Sequence, residues 1–294
     1  MSRLGLVGAF ALAITCCTGF ASPTHAANQW ACIDQLTKLV PDRRRGAPGG
    51  SAVMRNVMAL GGPARDAVLV REIMAGNMPA FMRELVPVSL SGRINGREVE
   101  ITICVTPDYL AVGDETDFVR VPLGMSAAAR LADELGFMLP TAHMVDLIYE
   151  QAEMRLPPEP MEPGAAMTTT RYFMQHNVTV TRQADHIGVY PAALVAGTKK
   201  DLVISERLRR QPNRVAIYGW HRNDGDPIQP LSLVHEAEYA DYSHGVRLVS
   251  RIAFINGRPV SLAAVMQDPD IAGIVTGEEG QMYDVRSLLA SLYQ

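Results

Sequence analysis

The segment ADYSHGVRL, residues 240–248, sets an acid (Asp241), a hydroxyl (Ser243), an imidazole (His244) and a guanidinium (Arg247) within a single turn-sized stretch. His235 lies just upstream, so the spacing reads H-x5-D-x2-H. Together with His221 these residues make the donor set of a zinc site: imidazoles plus one carboxylate. The spacing matches no HExxH-type signature. Two metal-free chemistries can use the same residues. In one, Ser243 is a nucleophile, His235 or His221 its base, and Asp241 the orienting acid, although no Gly-x-Ser-x-Gly elbow surrounds the serine. In the other, a histidine and an aspartate activate water while His244, Lys200 or Arg247 holds an anionic or carbonyl oxygen. A purely structural reading also stands: a hydrogen-bonded polar cluster that orders the entrance to a strand.

Two further segments carry polar groups at strand ends. AGTKKDLVI holds Lys199 and Lys200, two of only three lysines in a chain with 24 arginines. An ammonium there can bind an anionic substrate group or stabilise an oxyanion, or simply pair with Asp201 in a solvated turn. AIYGWHRNDGDPIQP delivers Trp220 and His221 to a turn built on Asn-Asp-Gly-Asp. Loops at strand ends commonly carry sites, and Trp220 offers a flat platform for a sugar or, equally, a core side chain.

The elements that must position these groups read as an α+β chain, a mostly antiparallel sheet with flanking helices. Alternation of Val99, Ile101, Ile103 and Val105 with polar partners predicts a half-buried strand. In VRLVSRIAFING, Val246, Leu248, Ser250, Ile252 and Phe254 share one face and Arg247 and Arg251 the other, with Asn256-Gly257 as a turn. Ser126 and Thr141 are candidate caps of two successive helices. Residues 27–62, with PDRRRGAPGG, read as a poorly ordered segment. A single domain spans 63–294, and the Pro-rich stretch 157–164 is an extended strap within it.

Residues 1–26 have the order of a secretory leader: one basic residue, an apolar run, then a small-residue cleavage region ending at Ala26. The protein is therefore expected in a periplasm or outside the cell, with no transmembrane segment after cleavage. Loss of Arg3 with the leader leaves 26 basic against 31 acidic side chains, a net charge of −5, which argues against nucleic acid as a partner. Cys32 and Cys104 remain, and an oxidising compartment permits them to pair. With 48% hydrophobic residues the chain can bury its own core.

Ser243-His244-Gly245, followed by Val246 and Arg247, resembles the Ser-His-Gly-Cys-x-Arg motif of L,D-transpeptidases, but the nucleophilic cysteine is missing and the thiolate chemistry does not carry over. More broadly, LPTAHMVDLIY, GTKKDLVI, IYGWHRNDGDPIQPLS and YADYSHGVRLVS together resemble a group of secreted bacterial proteins across residues 86–255. That resemblance implies one continuous domain and no particular reaction. The group carries a histidine where this chain has Thr198. The expectation is a hydrolase of a cell-envelope or extracellular polymer, peptidoglycan or polysaccharide, that requires no cofactor, with zinc as the alternative. Its catalytic set is His221, His235, Asp241 and His244. Lys199, Lys200, Trp220, Ser243 and Arg247 contact substrate. The other functional reading is a non-catalytic envelope or ligand-binding protein that uses the same cluster.

Overall fold

The computed structural model describes Cys32, residues 40–188 and residues 193–293. The leader and its cleavage site lie outside the described residues, as does most of the segment 27–39. The chain beyond residue 40 is no tether. Helix α1 (Gly50–Asn56) buries Val53 and Met54, and α2 (Gly62–Met74) buries Leu69 and Ile73. The expectation of poor order for 27–62 is corrected at 50–56, because a short helix here covers the strand pair Ala111–Gly113 and Phe118–Arg120 at close range. A Cβ on Gly50 would stand 2.6 Å from the Val112 carbonyl, so only glycine allows that approach.

The larger sheet is built from β1 (Val86–Ile94), β2 (Arg97–Val105), β12 (Val249–Ile255) and β13 (Arg258–Ser261), all antiparallel, with β5 (Phe137–Met138) added to β12. Asn95-Gly96 and Asn256-Gly257 close its two hairpins with positive φ at both turn residues, the backbone that matches strand twist. From Ile101 onward β2 is buried on both faces rather than one, and Cys104 on it is held in a disulfide. In β12 a register shift between Val249 and Ala253 breaks the expected alternation. Two extra residues on β12 between those positions interrupt the ladder, and there Arg251 and Ile252 are exposed while Ala253 and Phe254 are buried.

The chain between these strands supplies β3 (Ala111–Gly113), β4 (Phe118–Arg120), α3 (Met125–Glu134), α4 (Ala142–Gln151), β6 (Met154–Arg155) and α5 (Thr170–Ile187). Thr141 caps α4 by accepting from the Met144 amide at 3.2 Å, as its sequence suggested. Ser126 does not cap α3. The N-cap is Gly124, whose amide donates to the buried Asp66 carboxylate at 2.8 Å. The Pro-rich stretch is a strap over α5, held where Gln183 Nε2 donates to the Pro157 carbonyl and Tyr172 Oη to that of Glu162.

A second sheet runs β10 (Pro227–Ser232), β9 (Ile217–His221), β8 (Lys200–Leu202), β11 (His244–Gly245). Only β8 and β11 pair in parallel there. A short parallel pair joins β6 to β7 (Val195–Ala196). Helix α4 packs against both β1 and β9, so it links the two sheets and places its free face beside the second. Three helices, α6 (Leu262–Gln267), α7 (Ala272–Thr276) and α8 (Val285–Ser291), finish the chain. One continuous apolar cluster runs from Cys32 to Leu292. Among the described residues no helix is long and apolar enough to cross a membrane.

Cys32 and Cys104 form a disulfide across 72 residues of sequence. Closing a loop of that length restricts the unfolded chain. A Cys32→Ala/Cys104→Ala variant is expected to lose about 2–4 kcal/mol of unfolding free energy, measured by urea denaturation of the oxidised wild type beside the variant.

Candidate functional site

Helix α4 has two faces. Met144, Val145, Ile148 and Tyr149 are buried. His143, Asp146, Leu147 and Glu150, spaced at i, i+3, i+4 and i+7, line a cleft of about 460 Å³. Strand β9 forms the facing wall. Its backbone is unusual: Gly219 has φ +103° and Trp220 φ +59°. A tryptophan in the left-handed region carries a conformational cost. That turn sends Trp220 towards Lys200 and Tyr242, while Tyr218 and His221 both reach Asp146 on α4.

Asp146 is the centre of this arrangement. Its Oδ1 accepts from Tyr218 Oη at 2.8 Å and pairs with His221 Nε2 at 2.9 Å. A carboxylate can only accept, so Nε2 of His221 carries the proton. Burial, followed by the bond to Asp146, pushes the Tyr218 hydroxyl far above its ordinary value, so it stays a donor. The Asp146 side chain is 36% exposed and that of His221 only 2%. The carboxylate therefore meets solvent in the cleft, with the imidazole behind it. His221 is held in turn by Tyr149, stacked at 4.5 Å, whose hydroxyl donates to the Arg222 carbonyl at 2.6 Å. Deeper still, Asp201 accepts from Tyr109 Oη at 2.9 Å. Burial raises Asp201 to about 6 against the opposing pull of Arg247. Two donors on one oxygen leave the other oxygen of Asp146 as the acceptor facing the cleft.

The ADYSHGVRL segment makes a second cluster on the other side of β8, where Lys200 and Asp201 alternate faces. Asp241 Oδ1 accepts from the Ser243 amide at 2.7 Å and from its hydroxyl at 2.5 Å. Asp241 Oδ2 accepts from Tyr239 Oη at 3.2 Å and stands 3.9 Å from His244 Nε2. His235 stacks on Tyr239 at 4.0 Å, and Tyr239 meets His244 edge-on at 5.7 Å.

No protein-family model, curated protein or solved structure matches the chain. The geometry alone sorts the residues singled out from sequence. His235, Tyr239, Asp241 and His244 do converge. His221 does not join them, because it faces Asp146 across the sheet. Among the described residues no group of three or more His, Cys, Asp or Glu side chains is placed to hold a metal ion. Arg247, expected at substrate, is fully buried. It donates to the carbonyls of Thr106 and Val195 at 2.8 and 2.6 Å and lies over the Tyr109 ring. Lys199, 1% exposed, is also internal. Its ammonium bonds His176 Nδ1 at 2.9 Å and the Tyr242 carbonyl at 2.6 Å, and burial, then the Arg120 charge, draws it down to about 7. Ser243 is wholly buried and spends its hydroxyl on Asp241. Trp220 is 5% exposed and packs within the core, with the Lys200 ammonium 5.2 Å from its ring centroid. Burial removes Lys199, Ser243, Trp220 and Arg247 as substrate contacts.

Asp146 and His176 were missed. The sequence signal for Asp146 was present: a lone acid in the apolar run MVDLIY, on the helix face opposite Met144 and Ile148. His176 sits on α5 and meets Lys199 only through the fold.

His244 carries a testable consequence. Burial lowers its imidazole to about 4, against the pull of Asp241. Between its ordinary value of 6.5 and about 4 the unfolded chain holds a proton that the native chain does not. Its contribution to stability is therefore complete above 6.5 and falls as pH drops through that window. A His244→Gln variant is expected to lack this component. The wild-type-minus-variant difference in unfolding free energy should shrink by up to about 1.4 kcal/mol per pH unit below 6.5, measured by urea titration at stepped pH.

Proposed function

We propose that the chain is a periplasmic or secreted hydrolase of a cell-envelope or extracellular polymer, working at the Asp146 cleft without a metal. The observation that carries this reading is the pairing of a partly exposed carboxylate with a buried imidazole and a half-buried phenol on one of its oxygens. Asp146 is the general base. Its free oxygen takes a proton from water as the water oxygen bonds to the electrophilic centre of the substrate. The bond to the leaving group breaks, and the same carboxyl returns the proton to it. His221 and Tyr218 keep the carboxylate in one orientation, so no reorganisation is needed at the moment of reaction. Glu150, Asp224 and Arg155 line the same cleft and supply polar contacts to substrate. The leader-like N-terminus supports the compartment, as does the disulfide, which an oxidising medium favours.

One observation favours the non-catalytic alternative. Lys199, Ser243 and Arg247 are all 1% exposed or less and bond internal partners, as in a rigid polar core beneath a binding cleft. The test is incubation of the mature protein with peptidoglycan sacculi and with a panel of bacterial polysaccharides, with and without chelator. Chelator-insensitive release of soluble fragments is expected. Binding with no release under any condition would replace hydrolysis with the binding reading.

A further inference from the structure

The Asp146 cleft is not a closed pocket. Through His143, Asp146 and Tyr218 it shares its lining with a second cavity of about 880 Å³, and through Asn223 with a third of about 450 Å³. The third lies against the proline strap and is walled by Pro157 and Pro160. The three cavities thus form a row, strap to α7, with Asp146 at an internal junction and not at an end. Small-molecule sites are usually single concavities that enclose most of the ligand. A row of open cavities with the reactive carboxylate between two of them fits a chain passing through.

Charge along the row narrows the ligand further. Both signs occur: Glu150 and Asp224 with Arg155 in the central cavity, and Glu279 with Arg207 in the larger one. A neutral polysaccharide would need neither sign, and a polyanion would be repelled by the acids.

Building on the hydrolase reading, we infer that the substrate is an extended polymer bearing both carboxylate and ammonium groups. It lies along this groove, so that Asp146 meets an internal link and not a chain end.

The test uses peptidoglycan as the probe and separates binding from turnover. The full chain carrying Asp146→Asn is titrated with single disaccharide-peptide units and with longer solubilised glycan-peptide strands from sacculi. Longer strands are expected to bind at least about tenfold more tightly per site, and Arg207→Glu on the same background is expected to remove most of that gain while leaving binding of the single unit intact. Equal affinity for short and long fragments, no effect of Arg207→Glu, or no binding of either fragment would overturn the groove. Early products of the unsubstituted chain provide the second arm. Internal fragments support the inference, and release of terminal units alone overturns it. Length-dependent binding without any turnover would sustain the groove and remove the hydrolase reading instead.

Discussion

Replacing Asp146 by asparagine is expected to lower turnover of the polymer by about 10²–10⁴-fold, the usual contribution of a positioned general base. The amide is nearly isosteric and can still accept from Tyr218 and His221. The fold and the substrate affinity should therefore persist, and the loss should fall on kcat with KM almost unchanged. His221→Asn tests the supporting role. It removes one hydrogen bond to a charged group, about 1.5–3 kcal/mol, and so should cost about ten- to a hundredfold in kcat, less than the loss at Asp146. Should His221→Asn equal or exceed Asp146→Asn, the imidazole would be the base and the carboxylate its orienter. Steady-state kinetics of the two variants on one solubilised substrate decides the order.

The largest expected loss of stability lies elsewhere, at Arg120. Both Nε and a terminal nitrogen of its guanidinium bond the Asp108 carboxylate, the shortest contact at 2.6 Å, with both side chains almost wholly buried. Another terminal nitrogen reaches Asn177 Oδ1 on α5 at 3.3 Å, and the Arg120 amide bonds that same oxygen at 3.0 Å. Burial alone would raise Asp108, but the adjacent Arg120 charge outweighs it and holds the carboxyl below its usual range. Arg120→Met removes the charge paired with that anion, which keeps the Tyr109 amide at 2.6 Å, and breaking a buried pair from one side costs about 3–5 kcal/mol. For a domain of this size the melting temperature should drop by roughly 2–4 °C for each kcal/mol. The double variant Arg120→Met/Asp108→Leu removes both charges and should recover much of the loss. Calorimetry of the two variants measures this, and a single variant as stable as the wild type would show that the pair contributes nothing net.

Local chemistry carried much of the fold. Thr141 as a helix cap and Asn256-Gly257 as a turn each followed from sterics alone, and each stands where the sequence placed it; the strand over Val99–Val105 also forms, but without the exposed face its alternation implied. The departures have tertiary causes. The bulge in β12 exposes Ile252, which no two-residue period foresees. Gly124 begins α3 in place of Ser126 because Asp66, 58 residues earlier, supplies the bond to its amide.

The site was half legible. His221 and the ADYSHGVRL cluster were visible as polar residues at strand ends, but residue type does not reveal which face of a sheet a side chain takes. The left-handed backbone at Gly219 and Trp220 decided that, turning His221 towards α4 and away from His244. Asp146 was hidden because its partners lie 72 and 75 residues away. Lys199 and Arg247 looked like substrate contacts for the opposite reason. Their charge suggested solvent, whereas the fold gave each a set of internal carbonyls or an imidazole.

The most direct measurement of the central claim is release of soluble fragments from peptidoglycan sacculi by three proteins at equal concentration: the unsubstituted chain, Asp146→Asn and His235→Ala. His235 is exposed and stacked on Tyr239, in the Asp241–His244 cluster. The account predicts equal release by the unsubstituted chain and His235→Ala, and release from Asp146→Asn lower by at least about a hundredfold. Undiminished release by Asp146→Asn, with loss confined to His235→Ala, would move the chemistry out of the α4–β9 cleft and into the Asp241–His244 cluster.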